Sequence, residues 1–453
     1  MTSNWKECKI GDLCDSISDS YKRNDKKVVL INTSDVLEGK ILNHELVDNK
    51  NLKGQFKKTF QKYDILYSEI RPANKRFAFV DIEDTYNYIA STKLMVIRPD
   101  LKKVLPKYLY MILKSQPIID ELQHLAETRS GTFPQITFSS ELSQVEILLP
   151  SLETQQKIAK VLSAIDDKIE LNNSINNNLE QQAMALFKSW FIDYEPFNGS
   201  MPVNWSEDIL GKFIEIKRGG SPRPIQDYIS DSGYRWLKIS DATSIQSPFI
   251  LNIKEHIKES GINKTVFLKA GSLVLSNSAT PGIPKILDVD SCIHDGWLYF
   301  PESKLSNEYL YLLFKFIRPN LVALGNGSVF TNLKTDILRN YNTILPDKET
   351  LKRFDNIAGA IFEKILYNTR ENEKLIQLRD TLLPKLMSGE IDVSNVDIST
   401  DKLYEPACES KLSAEPYDSS GSFASASKNL PSEQSSSADK LSFSENNTGG
   451  KNG

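Results

Sequence analysis

Leu149-Pro150-Ser151-Leu152-Glu153-Thr154 recurs as Leu345-Pro346-Asp347-Lys348-Glu349-Thr350. The same offset matches Ala164, Ile165, Lys168, Ile169, Asn172, Asn176, Leu179 and Leu186 to Ala360, Ile361, Lys364, Ile365, Asn368, Asn372, Leu375 and Leu382. A fixed period marks a duplicated architecture. The repeat is far longer than a solenoid unit, so it predicts two copies of one domain plus helix, related by a pseudo-twofold axis. A pseudo-twofold protein suits a pseudo-twofold ligand, and duplex DNA is the commonest one.

Downstream of each quoted stretch the pattern becomes a heptad. Ile158, Leu162, Ile165, Ile169, Asn172, Asn176, Leu179, Ala183, Leu186 and Trp190 follow one another at alternating steps of four and three. Phe354, Ala358, Ile361, Ile365, Asn368, Asn372, Leu375, Arg379, Leu382 and Leu386 repeat them. Such spacing is the seam of a coiled coil, although one apolar stripe on a surface helix accounts for either helix alone. Ser151 and Asp347 stand where N-caps belong, and Pro384 should kink or end the second helix. Polar residues on a seam cost stability and are tolerated where they fix register. Antiparallel pairing would set Asn172 opposite Asn372 and Asn176 opposite Asn368, each amide satisfying its partner. From residue 158 to 190, at ~1.5 Å per residue, the rod would be roughly 50 Å long. Two lobes held about one DNA turn apart, roughly 34 to 36 Å, would read two half-sites separated by unread base pairs.

The segments before the helices match more weakly. Trp5 and Gly11 answer Trp205 and Gly211; Ser34-Asp35 answers Ser240-Asp241; Tyr108-Leu109-Tyr110 answers Tyr309-Leu310-Tyr311; Gly131-Thr132 answers Gly327-Ser328. Short β-rich runs such as Ile65-Leu66-Tyr67-Ser68 and Leu273-Val274-Leu275-Ser276 alternate with loops of Gly, Pro, Asn and Ser, interrupted by amphipathic helical stretches. The fold class read from this is α+β. A first lobe spans 1–150, a helix 151–193, a second lobe 200–346 and a second helix 347–388, with the two long helices antiparallel.

The remaining stretch, 397–453, is rich in Ser, Asn, Gly and acid and poor in large apolar residues, which predicts a disordered tail. Its nine acids and five lysines account for the whole net charge of −4, leaving a neutral body. A neutral body binds phosphate only through local basic clusters or with help from a partner subunit. The 453 residues and 40% hydrophobic content suit two or three ordinary domains. Cys8, Cys14, Cys292 and Cys408 lack metal-ligand spacing, so reduced thiols and no metal site are expected. No leader pattern follows Met1 and no apolar run approaches the roughly 18 residues of a membrane span, which leads to an expected cytoplasmic protein.

Catalytic signatures are missing. There is no Asn/Asp-Pro-Pro-aromatic motif, no glycine-rich cofactor loop and no G-x-x-x-x-G-K-[ST], so no cofactor is expected. Gly325-Asn326-Gly327 reads as a turn. Glu215-Ile216-Lys217 with Asp208 loosely imitates a nuclease set, yet a strand of alternating polarity explains it better. Asp166-Asp167 read as a solvated helical face, since adjacent helical residues do not face each other.

Candidate DNA contacts are basic residues on loops interleaved with Gly, Pro and Ser. In the first lobe they are Lys22, Arg23, Arg71, Lys75, Arg76 and Arg129; in the second, Lys217, Arg218, Ser221, Arg223 and Asn277. Arg bonds guanine bidentately and Asn does so with adenine, while Lys mainly neutralises phosphate. The Gly-rich loop with Arg218 and Arg223 is the leading candidate.

The stretch from Leu149-Pro150 through Glu153-Thr154-Gln155-Gln156 to Ser189-Trp190-Phe191 resembles the central conserved region of the specificity subunits of type I restriction-modification enzymes. Leu382-Leu383-Pro384-Lys385-Leu386-Met387-Ser388-Gly389-Glu390-Ile391 resembles their distal one. The likeness covers about residues 5–393. It implies two target-recognition domains, each reading one half of a bipartite asymmetric sequence in double-stranded DNA. It also implies assembly with two methyltransferase subunits and, for cleavage, two restriction or motor subunits, and a chain with no catalysis of its own. The competing reading is a coiled-coil scaffold that joins protein partners and binds no DNA.

Overall fold

The computed structural model describes residues 5–23, 25–50, 54–325 and 333–397. The described residues belong to one unit. The expected disordered tail lies outside the described residues except for Asp397, as do Asn326 and the Gly327-Ser328 match.

Each lobe closes on a short antiparallel ribbon that ties its first strand to the strand leading into a long helix. In the first lobe Lys6–Lys9 pairs with Glu146–Leu149, Lys6 opposite Leu149; in the second Ser206–Ile209 pairs with Asn342–Leu345, Ser206 opposite Leu345. The quoted repeat is therefore the exit from each lobe.

Two sheets fill the first lobe. One orders Cys14–Ile17, Leu94–Pro99, Ile65–Ser68 and Phe77–Phe79; the other orders Val47–Asp48, Lys27–Ile31, Tyr88–Ser91 and Phe56–Lys58. The second lobe repeats both. Lys217–Arg218, Trp297–Tyr299, Leu273–Ser276 and Pro284–Leu287 take the first order, with Phe249–Ile250 added at the edge. His256–Ile257, Tyr234–Leu237, Ser291–Ile293 and Val266–Leu268 take the second, with Ile229–Ser230 added. Even the parallel pair inside the second sheet is kept: Lys27–Ile31 with Tyr88–Ser91, and Tyr234–Leu237 with Ser291–Ile293. The central strands Ile65–Ser68 and Leu273–Ser276 are buried throughout and read as continuous apolar runs, as strands covered on both faces do. Helices Pro106–Leu113 and Gln116–Arg129 cover the first lobe, and Asn307–Gly325 the second.

Two helices of 40 residues each, Leu152–Phe191 and Lys348–Met387, join the lobes. At ~1.5 Å per residue each is about 60 Å long. Ser151 Oγ accepts from Thr154 N–H at 3.3 Å, and Asp347 Oδ1 accepts from Glu349 and Thr350 N–H at 3.0 and 3.2 Å, so both N-caps are made by the residues that the repeat places there. The second helix runs three residues past Pro384 and stops before Gly389, whose φ of +72° suits glycine.

The helices are antiparallel. Ile158, Ala159 and Leu162 pack with Leu383, Leu386 and Val393 into the first-lobe core, while Ala183, Phe187, Trp190 and Phe191 pack with Leu351, Phe354, Ala358 and Phe362 into the second. Each helix thus leaves one core and ends in the other. At mid-rod Asn172 Nδ2 donates to Asn372 Oδ1 at 2.8 Å, and Asn368 Nδ2 to Asn176 Oδ1 at 2.9 Å. The bonds run one way in each pair, because Asn372 Nδ2 turns to Asn173 Oδ1 and Asn176 Nδ2 to Thr369 Oγ1. Asn172 Oδ1 is left buried without a partner.

Arg379, the charged residue on the seam, has a reason. Asp166 accepts from Arg379 Nη1 at 3.0 Å and from Lys114 Nζ at 2.6 Å, tying both long helices to the first lobe. Asp166 is thus inward and paired, a correction to its reading as a solvated face. Asp167, one step around the helix, is exposed. At the repeat-equivalent positions in the second lobe stand Phe362 and Ala183, both buried in its core.

Candidate nucleic-acid interface

The second lobe brings Arg218, Ser221, Arg223 and Asn277 to one place. Strand Lys217–Arg218 pairs with Trp297–Tyr299, Arg218 opposite Leu298, so the turn His294-Asp295-Gly296 lies against the glycines that follow Arg218. Gly219 N–H donates to Trp297 O at 2.9 Å and Gly220 N–H to Ile293 O at 3.3 Å. A Cβ at Gly219 would stand 2.2 Å from the His294 carbonyl oxygen, so this approach needs glycine.

Asp295 is the centre of the arrangement. Its Oδ1 accepts from Ser221 Oγ at 2.7 Å, its Oδ2 from Arg223 Nη2 at 3.2 Å, and its backbone oxygen from Arg218 Nε. The Ser221 hydroxyl first, then the Arg223 cation, holds the Asp295 carboxyl below its ordinary range. Burial holds the His294 imidazole below its usual value, and its Nδ1 accepts from Gly296 N–H at 2.8 Å, which leaves the proton on Nε2. Beside the turn opens a cleft of about 770 Å³, walled by Pro222, Trp236 and His294 and edged by Arg223 and the Lys238–Glu255 ion pair.

Asn277, expected on a polar loop as a candidate DNA contact, is 2% exposed. With its amide turned so that both ends meet complementary groups, Oδ1 accepts from Arg218 Nε at 3.1 Å and Nδ2 donates to Leu333 O at 3.0 Å. It supports an arginine. Lys217 lies apart, exposed and paired with Glu215 at 2.9 Å, while Asp208 pairs with Lys212 at 2.6 Å, so the nuclease-like set does not assemble.

In the first lobe the candidates form two groups. Lys22 is exposed, and the Arg23 guanidinium lies 3.7 Å from the centre of the Tyr86 ring, next to strand Phe56–Lys58. The other group surrounds the turn after Ile65–Ser68. Arg71 and Lys75 both adopt left-handed backbone, with φ of 45° and 53°. Arg71 is exposed; Arg76 Nη1 donates to Ser34 O at 3.0 Å, and Arg129 pairs with Glu141 at 3.1 Å. Arg76 and Arg129 are therefore engaged within the protein.

Backbone bonds establish which loop residues correspond. Leu333 N–H donates to Asn277 O and Asn277 N–H to Gly296 O; in the first lobe Ile136 N–H donates to Glu69 O and Glu69 N–H to Lys93 O. Glu69 thus takes the place of Asn277, and it pairs with Lys93 at 3.2 Å, which also donates to Gln135 at 3.1 Å. One scaffold position carries an amide holding an arginine in one lobe and a carboxylate holding a lysine in the other.

Sequence reasoning missed Asp295, His294, Trp236 and Glu255. The one local signal was His294-Asp295-Gly296-Trp297 itself, where a Cβ at Gly296 would meet His294 Cε1 at 2.3 Å. Among the described residues no group of three or more His, Cys, Asp and Glu could hold a metal ion, and no helix is long and apolar enough to cross a membrane.

Two lobes of one topology, joined by an antiparallel helical pair and carrying different side chains on equivalent loops, define an internally duplicated two-lobed protein. A family model described as type I restriction modification DNA specificity domain matches residues 2–181 and again 202–379. The chain is 34% identical over 464 aligned positions to the type I restriction enzyme HindI specificity subunit of Haemophilus influenzae, covering 86% of this chain and 100% of that one. It is 29% identical over 314 positions to the MjaIX specificity subunit of Methanocaldococcus jannaschii, covering 65% and 71%. The solved type I restriction-modification S subunit from M. genitalium has the same fold, with a TM-score of 0.53 at 16% identity over 85% of this chain and 96% of that one. The chain belongs to the type I restriction-modification DNA specificity family, as a DNA-recognition subunit without catalysis of its own.

Proposed function

We propose that each lobe reads one half of a bipartite, asymmetric DNA sequence and that the helical pair sets the spacing between the halves. The observation that carries this reading is the contrast between Asn277–Arg218 and Glu69–Lys93 at one scaffold position. Identical frames with unlike chemistry suit unlike half-sites. Base edges are told apart by such donor and acceptor patterns, while lysines and arginines around them neutralise phosphate. Arg71 and Lys22 in the first lobe, and Arg218, Ser221 and Arg223 in the second, are the candidates. Lys75, Arg76, Arg129, Lys217 and Asn277 act behind them or at the edge.

The same reading gives the rod a second task, the docking of two methyltransferase subunits and, through them, two restriction subunits. Leu171, Tyr367 and Leu378, 54%, 60% and 47% exposed on the long helices, are apolar surface that a docked subunit would cover. The tested consequence is modification of a split, non-palindromic motif. Sequencing methylated bases in a host with and without this gene should show such a motif vanish when the gene is removed. A continuous or palindromic motif, or no change, contradicts the reading.

A further inference from the structure

Arg218 is held at its Nε. Its Nε–H is shared between the Asp295 backbone oxygen and, at 3.1 Å, the Oδ1 of buried Asn277. Neither terminal nitrogen of Arg218 has a hydrogen bond or ion pair among the described residues, and the side chain is exposed. The anchors are themselves fixed. Asn277 is tied through Leu333 O, and Asp295 by Ser221 Oγ, which bonds its carboxylate at 2.7 Å and receives its backbone N–H at 3.3 Å. Arg223 differs: its Nη2 is on the Asp295 carboxylate, 3.2 Å away, and its side chain is 78% exposed.

A guanidinium clamped at Nε presents its two terminal N–H groups as a planar fork of set direction. That geometry matches the O6 and N7 acceptors of guanine in the major groove and no other base edge. A phosphate contact needs no such restraint, since a point charge on a flexible stem serves it. Preorganisation also means that little rotamer entropy is lost on contact. We propose that Arg218 reads a guanine in the half-site of the second lobe, with Asn277 and Asp295 as positioning residues that aim it. Arg223, loosely held, contacts the backbone beside it. This rests on the reading of the second lobe as a half-site reader.

In the first lobe, among the described residues, no arginine is bonded to the residue equivalent to Asn277. Glu69 stands where Asn277 does and holds Lys93, which lacks a fork. The first half-site therefore has no guanine read by this device.

The test is selection of bound duplexes from a randomised pool by the full chain assembled with methyltransferase subunits, for wild type, Arg218→Lys, Asn277→Ala and Arg223→Ala. Arg218→Lys keeps the charge and loses the fork; Asn277→Ala keeps the fork and loosens its aim. Both should relax one guanine position in one half of the motif, by roughly 5- to 150-fold in preference, and leave every other position alone. Arg223→Ala should weaken binding to all sequences alike and lower the salt dependence. Thermal unfolding of each variant checks that it folds, and Arg218→Lys, at an exposed site, decides the question if Asn277→Ala does not. Arg218→Lys that leaves the motif intact overturns the assignment of Arg218 while the half-site reading stands. Wild type that selects no motif in the second half overturns the half-site reading itself.

Discussion

Asp347 shows how much one side chain does at the junction of lobe and rod. Besides capping the second long helix, its Oδ2 accepts from Thr350 Oγ1 at 2.7 Å and from Trp205 Nε1 at 2.9 Å. The Thr350 hydroxyl foremost, with backbone N–H groups and the Trp205 indole, lowers its carboxyl to about 2. A carboxyl depressed in the folded state stabilises fully above the unfolded value, ~3.9, and loses that contribution as pH falls through about 2. Asp347→Ala should cost about 1–2 kcal/mol at pH 7, as lost caps do. The deficit, measured as urea midpoints, should be smaller at pH 3; an equal deficit at both would remove the ionised cap from the account. Gly219→Ala should cut DNA affinity of the assembled complex at least tenfold, because the added carbon strikes the His294 carbonyl and displaces the Arg218 loop. Unchanged binding would mean the loop yields without loss.

At the scale of elements, the rod is joined to its lobes by two different chemistries. The second lobe grips it with aromatic packing, including Phe191 of the rod against Tyr309 of helix Asn307–Gly325 at 4.9 Å between ring centres. The first adds the Lys114–Asp166–Arg379 set, whose side chains are 15%, 28% and 27% exposed. Asp166→Asn should leave half-buried Lys114 without its carboxylate and Arg379 with Asp380 alone, and cost about 1–3 kcal/mol. Hydrogen exchange should rise in helix Pro106–Leu113 and not in Asn307–Gly325; a uniform rise would show that the two ends are not independent. The mid-rod amides obey another rule, since removing one partner strands the other while removing both can be neutral. Asn372→Leu alone should lower the melting temperature, and Asn172→Leu with Asn372→Leu should recover most of it. If the double variant melts lower than the single one, the amides act as more than a register device.

The rod was legible in the sequence because a seam of period 3.5 and two matched caps are local signals. The sheets were less so. Strands of two to four residues, such as Lys217–Arg218 and Tyr234–Leu237, gain their identity from partners dozens of residues away, and loop lengths differ between the copies. The site divides the same way: Arg218, Ser221 and Arg223 lie together on a Gly-rich loop that sequence alone marks as basic. Asp295, which organises them, arrives by strand pairing 72 residues beyond Arg223.

Over the whole molecule, the account makes the rod a ruler between two readers. One heptad removed from each long helix keeps the seam in register and shortens the rod by about 10 Å, or roughly three base pairs. The unread spacer should shrink by that amount in the methylated motif. The central claim is most directly tested by a chain in which residues 200–346 are replaced with a second copy of the first lobe, its methylated motif read by sequencing in a host lacking other modification. The account predicts a palindromic split motif, the first half-site repeated in inverted orientation across the same spacer. An unaltered asymmetric motif would contradict it.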